Sequence, residues 1–406
     1  MTSSLGRVPL WTTAHEVRKV VDPATLGDHV VHYSIPSLDE FGAGKVEEVD
    51  SIKSAKLSLH GGEVLISKLN PRKSRVIYIN RDQLPIVAST EFVALLPLPG
   101  IDSRFLTYTL GSESARQELD SRVQSVTRSH QRVSPEDVTH LSIWAPDIEE
   151  QRRIVDFLDA EVSRMGKLAK VRKKQLSLLW ERLDAVAKEA TGRAALHANA
   201  DYTPTKLRRA ITMIRTGTTP SHLEDVGSDN SPNTLPWYTP AALDGVLQVS
   251  PAEKKARDDG YVPAFPAGSI LVTGIGESLG KIGYLTHAAT GNQQLTALFP
   301  TSTTNGRFLA WQLHVARDEL RNWTQYSRVR IINNDTLADF HISLPAKSVQ
   351  DKVVARLDEH LAKVRSLDAV TDGFIAAIRE RQRALITAAV TGQFDVSTAS
   401  GRGVME

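Results

Sequence analysis

Leu176, Leu179, Leu183, Val186 and Ala190 recur every three or four positions, the spacing that lays side chains along one face of an α-helix. Leu357, Leu361, Val364, Ile378, Leu385 and Ala389 form a similar stripe in the second half of the chain. Each run follows a proline, Pro146 or Pro345, and closes on Thr191-Gly192 or Thr391-Gly392, where glycine suits the left-handed residue that ends a helix. The pattern predicts two helices of about 40 residues, roughly 60 Å long at 1.5 Å per residue. Neither can bury so long a stripe by itself. The simplest cover for each is the other, as an antiparallel pair or short coiled coil.

Ahead of each helix the apolar runs shorten to β-type segments punctuated by Gly, Pro, Asn and Ser. Gly62-Glu63-Val64-Leu65-Ile66-Ser67 resembles Gly268-Ser269-Ile270-Leu271-Val272-Thr273, and each is followed by a polar loop and another strand, Val76 to Ile79 or Ile282 to Leu285. The helix starts also match: Pro, Gln, Val, Leu and Asp coincide between Ile143–Asp159 and Ile342–Asp358. The chain is therefore an internal repeat with pseudo-twofold character. Its expected class is α+β, with globular regions 1–145 and 196–342 alternating with helical regions 146–195 and 343–396, and a flexible tail at 397–406.

Charge narrows the function. The 406 residues carry 49 Lys plus Arg against 47 Asp plus Glu, a formal charge of +2, so any nucleic-acid surface must be local rather than a broad positive field. The absence of cysteine excludes disulfides and Cys-based zinc sites and points to the cytoplasm. Met1–Leu10 lacks the apolar run of a signal peptide, and no stretch reaches the length of a membrane span.

Enzyme signatures fail on inspection. In Thr273–Ile282 the glycines suggest a phosphate loop, but Ile275 and Ile282 stand where a Walker A motif needs Gly and Ser or Thr. Leu279 replaces the third glycine of a dinucleotide fingerprint. Asn70-Pro71 runs into Arg72-Lys73 rather than the Pro-aromatic pair of an adenine methyltransferase. Glu253-Lys254-Lys255 offers a nuclease-like triplet in a charged loop, and the 12 His residues form no His-x-x-x-His pair with an acidic partner on a helix.

What remains are polar clusters at equivalent places. Lys68, Arg72, Lys73, Arg75 and Arg81 follow the first glycine-started strand, and Arg122, Arg128, His130, Gln131 and Arg132 fall in an acid-free stretch. In the second half, Ser278 and Lys281 follow the equivalent strand, with Asn292, Gln293 and Gln294 beyond it. Arg321, Arg328, Arg330, Asn333 and Asn334 form the second acid-free stretch. Arg reads guanine edges, Asn and Gln read adenine, and Lys, Ser and Thr hold phosphates, so the mixture suits sequence reading. The DNA-binding candidates are Lys68, Arg72, Lys73, Arg75, Arg128, His130, Gln131, Arg132, Ser278, Lys281, Asn292, Gln293, Gln294, Arg328, Arg330 and Asn333.

Over nearly its whole length the chain resembles the DNA specificity subunit of type I restriction-modification systems. The resemblance rests on Ile148–Ile154 after Pro146, Val349–Val353 after Pro345, the strand-and-turn pair from Ser269 to Tyr284, and the closing Thr391-Gly392-Gln393-Phe394-Asp395. It implies two target recognition domains that read the halves of a split, asymmetric double-stranded DNA site. The paired helices would act as spacer and as docking surface for two methyltransferase subunits. It also implies no catalytic residue and no cofactor in this chain: S-adenosylmethionine belongs to the methyltransferase, and ATP with Mg to a restriction subunit where one is present. Two other readings stay open: a noncatalytic two-headed scaffold or decayed specificity subunit, and a nuclease using Glu253 and Lys255.

Overall fold

Gln151 and Gln350, each in the first turn or so of a long helix, have buried side chains, so every polar atom they carry needs a partner inside the protein. In the computed structural model, which describes residues 6–123, 131–193, 204–227, 233–258, 260–323 and 331–396, both are satisfied in the same way. The Gln151 amide donates to the carbonyls of Pro146 (2.7 Å) and Gly100 (3.0 Å), and its oxygen accepts from the Asp102 N–H (2.9 Å). The Gln350 amide donates to Pro345 (2.8 Å) and Thr303 (3.3 Å) and accepts from the Asn305 N–H (2.8 Å). Asp102 and Asn305 in turn cap the helices Ser103–Gly111 and Gly306–Val315.

The coincident aspartates complete the tie. Asp159 accepts from Arg104 and from the Tyr108 hydroxyl (2.7 Å), and burial together with that bond raises the Tyr108 pKa. Asp358 accepts from Arg307 and from the Trp311 indole (3.2 Å). The residues that recur in sequence are thus those that fasten each long helix to the globular half preceding it.

The long helices are Ile148–Ala190 and Lys347–Val390, of 43 and 44 residues. The chain divides into two units whose boundaries fall inside both helices: Met1–Arg172 with Asp372–Glu406, and Lys173–Thr371. In the first unit Ile154, Val155 and Leu158, near the start of one helix, pack with Leu385, Ile386, Ala389 and Val390 at the end of the other. In the second, Leu357, Leu361 and Val364 pack with Leu179, Leu183 and Ala187. Start meets end in both, so the helices pair antiparallel, as the sequence pattern predicts. Gly192 and Gly392 both close their helices in the left-handed region, at φ 72° and 73°. A Cβ at Gly392 would lie 3.1 Å from the Trp144 ring, so glycine also permits the helix end to seat there.

Each globular half is built from the same three parts. A two-stranded clasp joins its first strand to its last, Arg7–Pro9 with Ser142–Trp144 and Pro204–Lys206 with His341–Ser343. A four-stranded antiparallel sheet follows one order in both: Ala14–Val17, Phe92–Pro97, Val64–Ser67, Val76–Tyr78, and then Ile211–Thr216, Leu295–Pro300, Ile270–Thr273, Ile282–Tyr284. A second sheet lies beside it, five-stranded in the first half and four-stranded in the second, each with one parallel pair. The glycine-started strands sit inside their sheets, which explains why both read as unbroken apolar runs. Among the described residues no helix is long and apolar enough to cross a membrane.

In the second unit a further tie joins helix and globular half. Asp184 accepts from Arg317 (2.6 Å) and faces the His314 ring (3.4 Å). Burial pushes its carboxyl up, but the bonds from His314 and Arg317 outweigh this and hold the pKa at about 2.

Replacing Gln151 or Gln350 with Leu strands an N–H and two carbonyls in the interior, and each change is expected to lower stability by about 2–4 kcal/mol in urea denaturation. Because its folded pKa is depressed, the Asp184 carboxylate stabilises the protein above about pH 4 and loses that effect as pH falls toward 2. The Asp184→Asn variant should therefore be less stable than the parent by roughly 2 kcal/mol at neutral pH, with the gap closing across that acid window.

Candidate nucleic-acid interface

Where the two central strands end, the halves carry the same loop. Residues 68–74 and 274–280 are equal in length, and the backbone closes each identically: Ser67 N–H donates to Arg75 O (3.0 Å), and Thr273 N–H donates to Lys281 O (3.0 Å). Each loop turns through two left-handed residues at matching positions, Asn70 (φ 50°) and Ser74 (φ 47°) in the first, Gly276 (φ 81°) and Gly280 (φ 83°) in the second. Glycine takes that conformation freely, and Asn tolerates it better than most residues. The glycines that mimic a phosphate loop in sequence are therefore turn formers.

Each loop is pinned on both sides. Lys68 donates its N–H to Glu91 O (2.9 Å) and accepts from the Val133 N–H (3.1 Å). Gly274 donates to Gln294 O (3.0 Å) and accepts from Ile332 (2.9 Å). Single bridges Leu69–Arg132 and Ile275–Ile331 complete the match. Two clusters far apart in sequence thus become one surface in each half: Lys68, Arg72, Lys73 and Arg75 meet Gln131 and Arg132, while Ser278 and Lys281 share a frame with Gln294 and the end of the second acid-free stretch. Arg128, His130, Arg328 and Arg330 lie outside the described residues.

The side chains differ in their freedom. Arg75 is 7% exposed and held by a two-pronged pair with Asp39 (2.6 and 2.8 Å) and by Leu69 O (3.2 Å), so it anchors the loop. The Arg75 bond keeps the Asp39 carboxyl below its ordinary range. Arg132 pairs with Glu91 (2.9 Å) yet stays mostly exposed, and Arg72 and Lys73 are exposed on the turn, with the Lys73 amine 4.0 Å from Asp39. Lys68 and Gln131 are half-buried.

In the second half Asn292 is buried and bonded to Gln294 through both side chain and backbone (3.1 Å each). Gln293 is exposed and accepts from the Thr219 hydroxyl (2.7 Å). The Asn333 oxygen caps the helix Asn334–Ala338 through the Thr336 N–H (2.7 Å), and Ser278 is half-buried on the turn. Lys281 lies on the wall of a 710 Å³ cavity shared with Trp180, Asp184 and Arg317. For Arg75, Asn292 and Asn333, the contacts seen are ones the fold itself requires.

The nuclease-like triplet has no open acid-and-lysine geometry, because Lys254 pairs with Asp225 (3.1 Å) and Lys255 with Glu224 (3.6 Å) across neighbouring strands. Among the described residues no group of three or more His, Asp or Glu is placed to hold a metal ion. Residues missed by sequence reasoning are the acids that orient the cations, Asp39 and Glu91, together with Thr219. They are distant in sequence and carry no local signal.

Comparison with known proteins agrees with this construction. Residues 211–369 match the family model of the type I restriction modification DNA specificity domain. The type I restriction enzyme HindI specificity subunit of Haemophilus influenzae is 26% identical over 116 residues, 27% of this chain and about a quarter of that relative's length. A solved structure of the type I R-M system, described for its complex assembly and conformational transition, superposes with a TM-score of 0.78 at 20% identity, covering 96% of this chain and 98% of the other. This chain shares that fold. The HsdS subunit from Thermoanaerobacter tengcongensis has the same fold, with a TM-score of 0.54 at 19% identity over 97% of this chain and 98% of that one. The family model covers most of the second globular half and the start of the second long helix, and the first half of the chain repeats the same loop and sheet order.

The anchor and the exposed cations separate by stability. Arg75→Ala should lower the unfolding free energy by about 1–3 kcal/mol, since it removes the two-pronged pair with Asp39 and one of the bonds to Leu69 O. Lys73→Ala, on the same turn, should stay within about 0.5 kcal/mol of the parent in the same denaturation measurement.

Proposed function

We propose that this chain is a type I specificity subunit that reads a split, asymmetric double-stranded DNA site, one half-site for each globular half, and does no chemistry itself. One observation carries the reading: a single loop backbone is used twice and dressed differently. The first copy presents Arg72 and Lys73 where the second has Ser278 and the buried Leu279. Identical frames with different polar edges are what two readers of different half-sites require. The Arg and Lys of the first suit guanine edges and phosphates, and the Gln and Ser of the second suit adenine and backbone oxygens. The near-neutral charge fits recognition by base edges and DNA shape rather than bulk attraction.

The chemistry then resides in partners. The long helices dock two methyltransferase subunits, which bind S-adenosylmethionine, and a restriction subunit, where present, uses ATP and Mg. The specificity subunit supplies position, in the cytoplasm.

Co-expression with a type I methyltransferase subunit, followed by genome-wide mapping of methylated adenines, should reveal one motif with a fixed unspecified gap. Exchanging residues 1–145 should change one side of that motif and exchanging 196–342 the other. Charge removal at Arg128 and Arg132, or at Arg328 and Arg330, should reduce DNA binding at least about tenfold, with a shallower salt dependence in gel-shift titration. A complex that forms but methylates no defined motif would instead identify a scaffold.

A further inference from the structure

At the root of each loop three segments of chain lie side by side, and the two residues that flank the middle segment are exchanged together between the halves. In the first half Leu69 lies directly across from Arg132, while the adjoining Lys68 N–H bonds Glu91 O (2.9 Å) on the other side. Arg132 and Glu91 come from the two outer segments and pair at 2.9 Å, so both side chains stand on one face of the frame. In the second half the middle residue is Ile275, which lies across from Ile331, and the adjoining Gly274 N–H bonds Gln294 O (3.0 Å). The ion pair of one half is thus replaced in the other by an isoleucine and an amide.

Directly opposed residues of an antiparallel bridge carry their side chains on the same face, with Cβ atoms about 5 Å apart. Ile275 is half-buried and Ile331 is 43% exposed, so the bridge lays a short apolar strip on the loop surface. A single exposed aliphatic side chain is ordinary. Here, however, the frame does not require one: the matched position holds arginine, with 59% of its side chain exposed. Gln294 borders the strip. Its side-chain oxygen accepts from the Asn292 amide (3.1 Å), which orients the group, and its amide nitrogen bonds no described residue.

We propose that the Ile275–Ile331 strip receives the 5-methyl group of a thymine in the second half-site, and that Gln294 bonds the polar edge of the same A·T pair. The inference rests on the reading of this chain as a DNA specificity subunit and deepens it, by naming one base pair and the residues that select it. In the major groove thymine is the base that carries a methyl group, and the A·T pair presents it beside the thymine O4 acceptor and the adenine N6 donor and N7 acceptor. The two isoleucines exclude water from the methyl, and the amide N–H of Gln294 serves O4 or N7. At this matched place the halves therefore read by different physics, charge in the first and apolar contact in the second.

The test uses the full chain co-purified with its methyltransferase, after methylation mapping has given the motif and exchange of the halves has assigned its two sides. Each thymine of the motif is replaced in turn by deoxyuridine, which lacks only the methyl. The duplexes are titrated by fluorescence anisotropy against the parent, Ile331→Ala and Ile331→Val, each first checked for the parent's melting temperature. For the parent, methyl removal at one thymine on the side assigned to residues 196–342 should weaken binding about three- to sevenfold. Ile331→Ala should weaken binding to the thymine duplex by a similar factor and no longer distinguish it from the deoxyuridine duplex, whereas Ile331→Val keeps most of the difference. The inference is overturned if that side contains no specified A·T pair, if no methyl on it matters, or if Ile331→Ala keeps the parental discrimination at every thymine. Each of these results leaves DNA reading itself standing, because the motif and the exchange of halves establish it separately. A complex that methylates no defined motif would overturn that reading and the inference with it.

Discussion

A buried amide side chain at the root of each long helix governs this molecule. Gln151 and Gln350 use every hydrogen-bonding atom of their side chains to join three stretches of backbone: the proline that precedes the helix, the turn after the last long strand of the sheet, and the capping residue of the short helix that covers the sheet. In the protein interior such a network holds one arrangement and penalises every other, because any slippage leaves several buried polar groups unpaired. The aspartates two turns further along, Asp159 and Asp358, fix the rotation of each helix against the same short helices. The orientation of a helix relative to its sheet is thereby set at its base.

From that base the two equivalent loops inherit their position. Each loop leaves a central strand, turns through two left-handed residues and is bridged to the segment that leads back to the clasp and the long helix. Backbone hydrogen bonds define the frame, so the residues on the turn are free to vary without altering it. Arg72 and Lys73 in one half and Ser278 and Leu279 in the other are four different answers on one backbone. Under the proposed function, this separation of frame from edge would let a single chain carry two specificities.

Sequence and structure agree most closely where the causes are local. The three- and four-residue apolar spacing, the Thr-Gly ends and the glycine-started strands all found their predicted elements, and the matched Pro, Gln and Asp positions proved to be the fastening points. The motif that carried the family resemblance, from Pro146 to Asp159, is thus a structural junction, and its recurrence reports how the halves are assembled rather than what they bind. The loop glycines, which in isolation suggest a phosphate site, are explained by φ angles that the equivalent Asn70 and Ser74 also adopt.

The sequence by itself determined the repeat, the two long helices, their caps and the approximate location of both polar clusters, because each of these follows from neighbours within a few residues. Tertiary structure decided which cations are buried anchors and which stay exposed. Asp39 reaches Arg75 and Glu91 reaches Arg132 only through strand register, so a cluster that reads as uniformly basic divides into an anchor and an exposed edge. It also decided that Phe394 covers Phe157 and the end of the second long helix, since a helical stripe can be covered by any apolar segment that folding brings to it. Periodicity is written in the order of residues, whereas the pairing of charges and the covering of grooves depend on contacts between positions that sequence order keeps far apart.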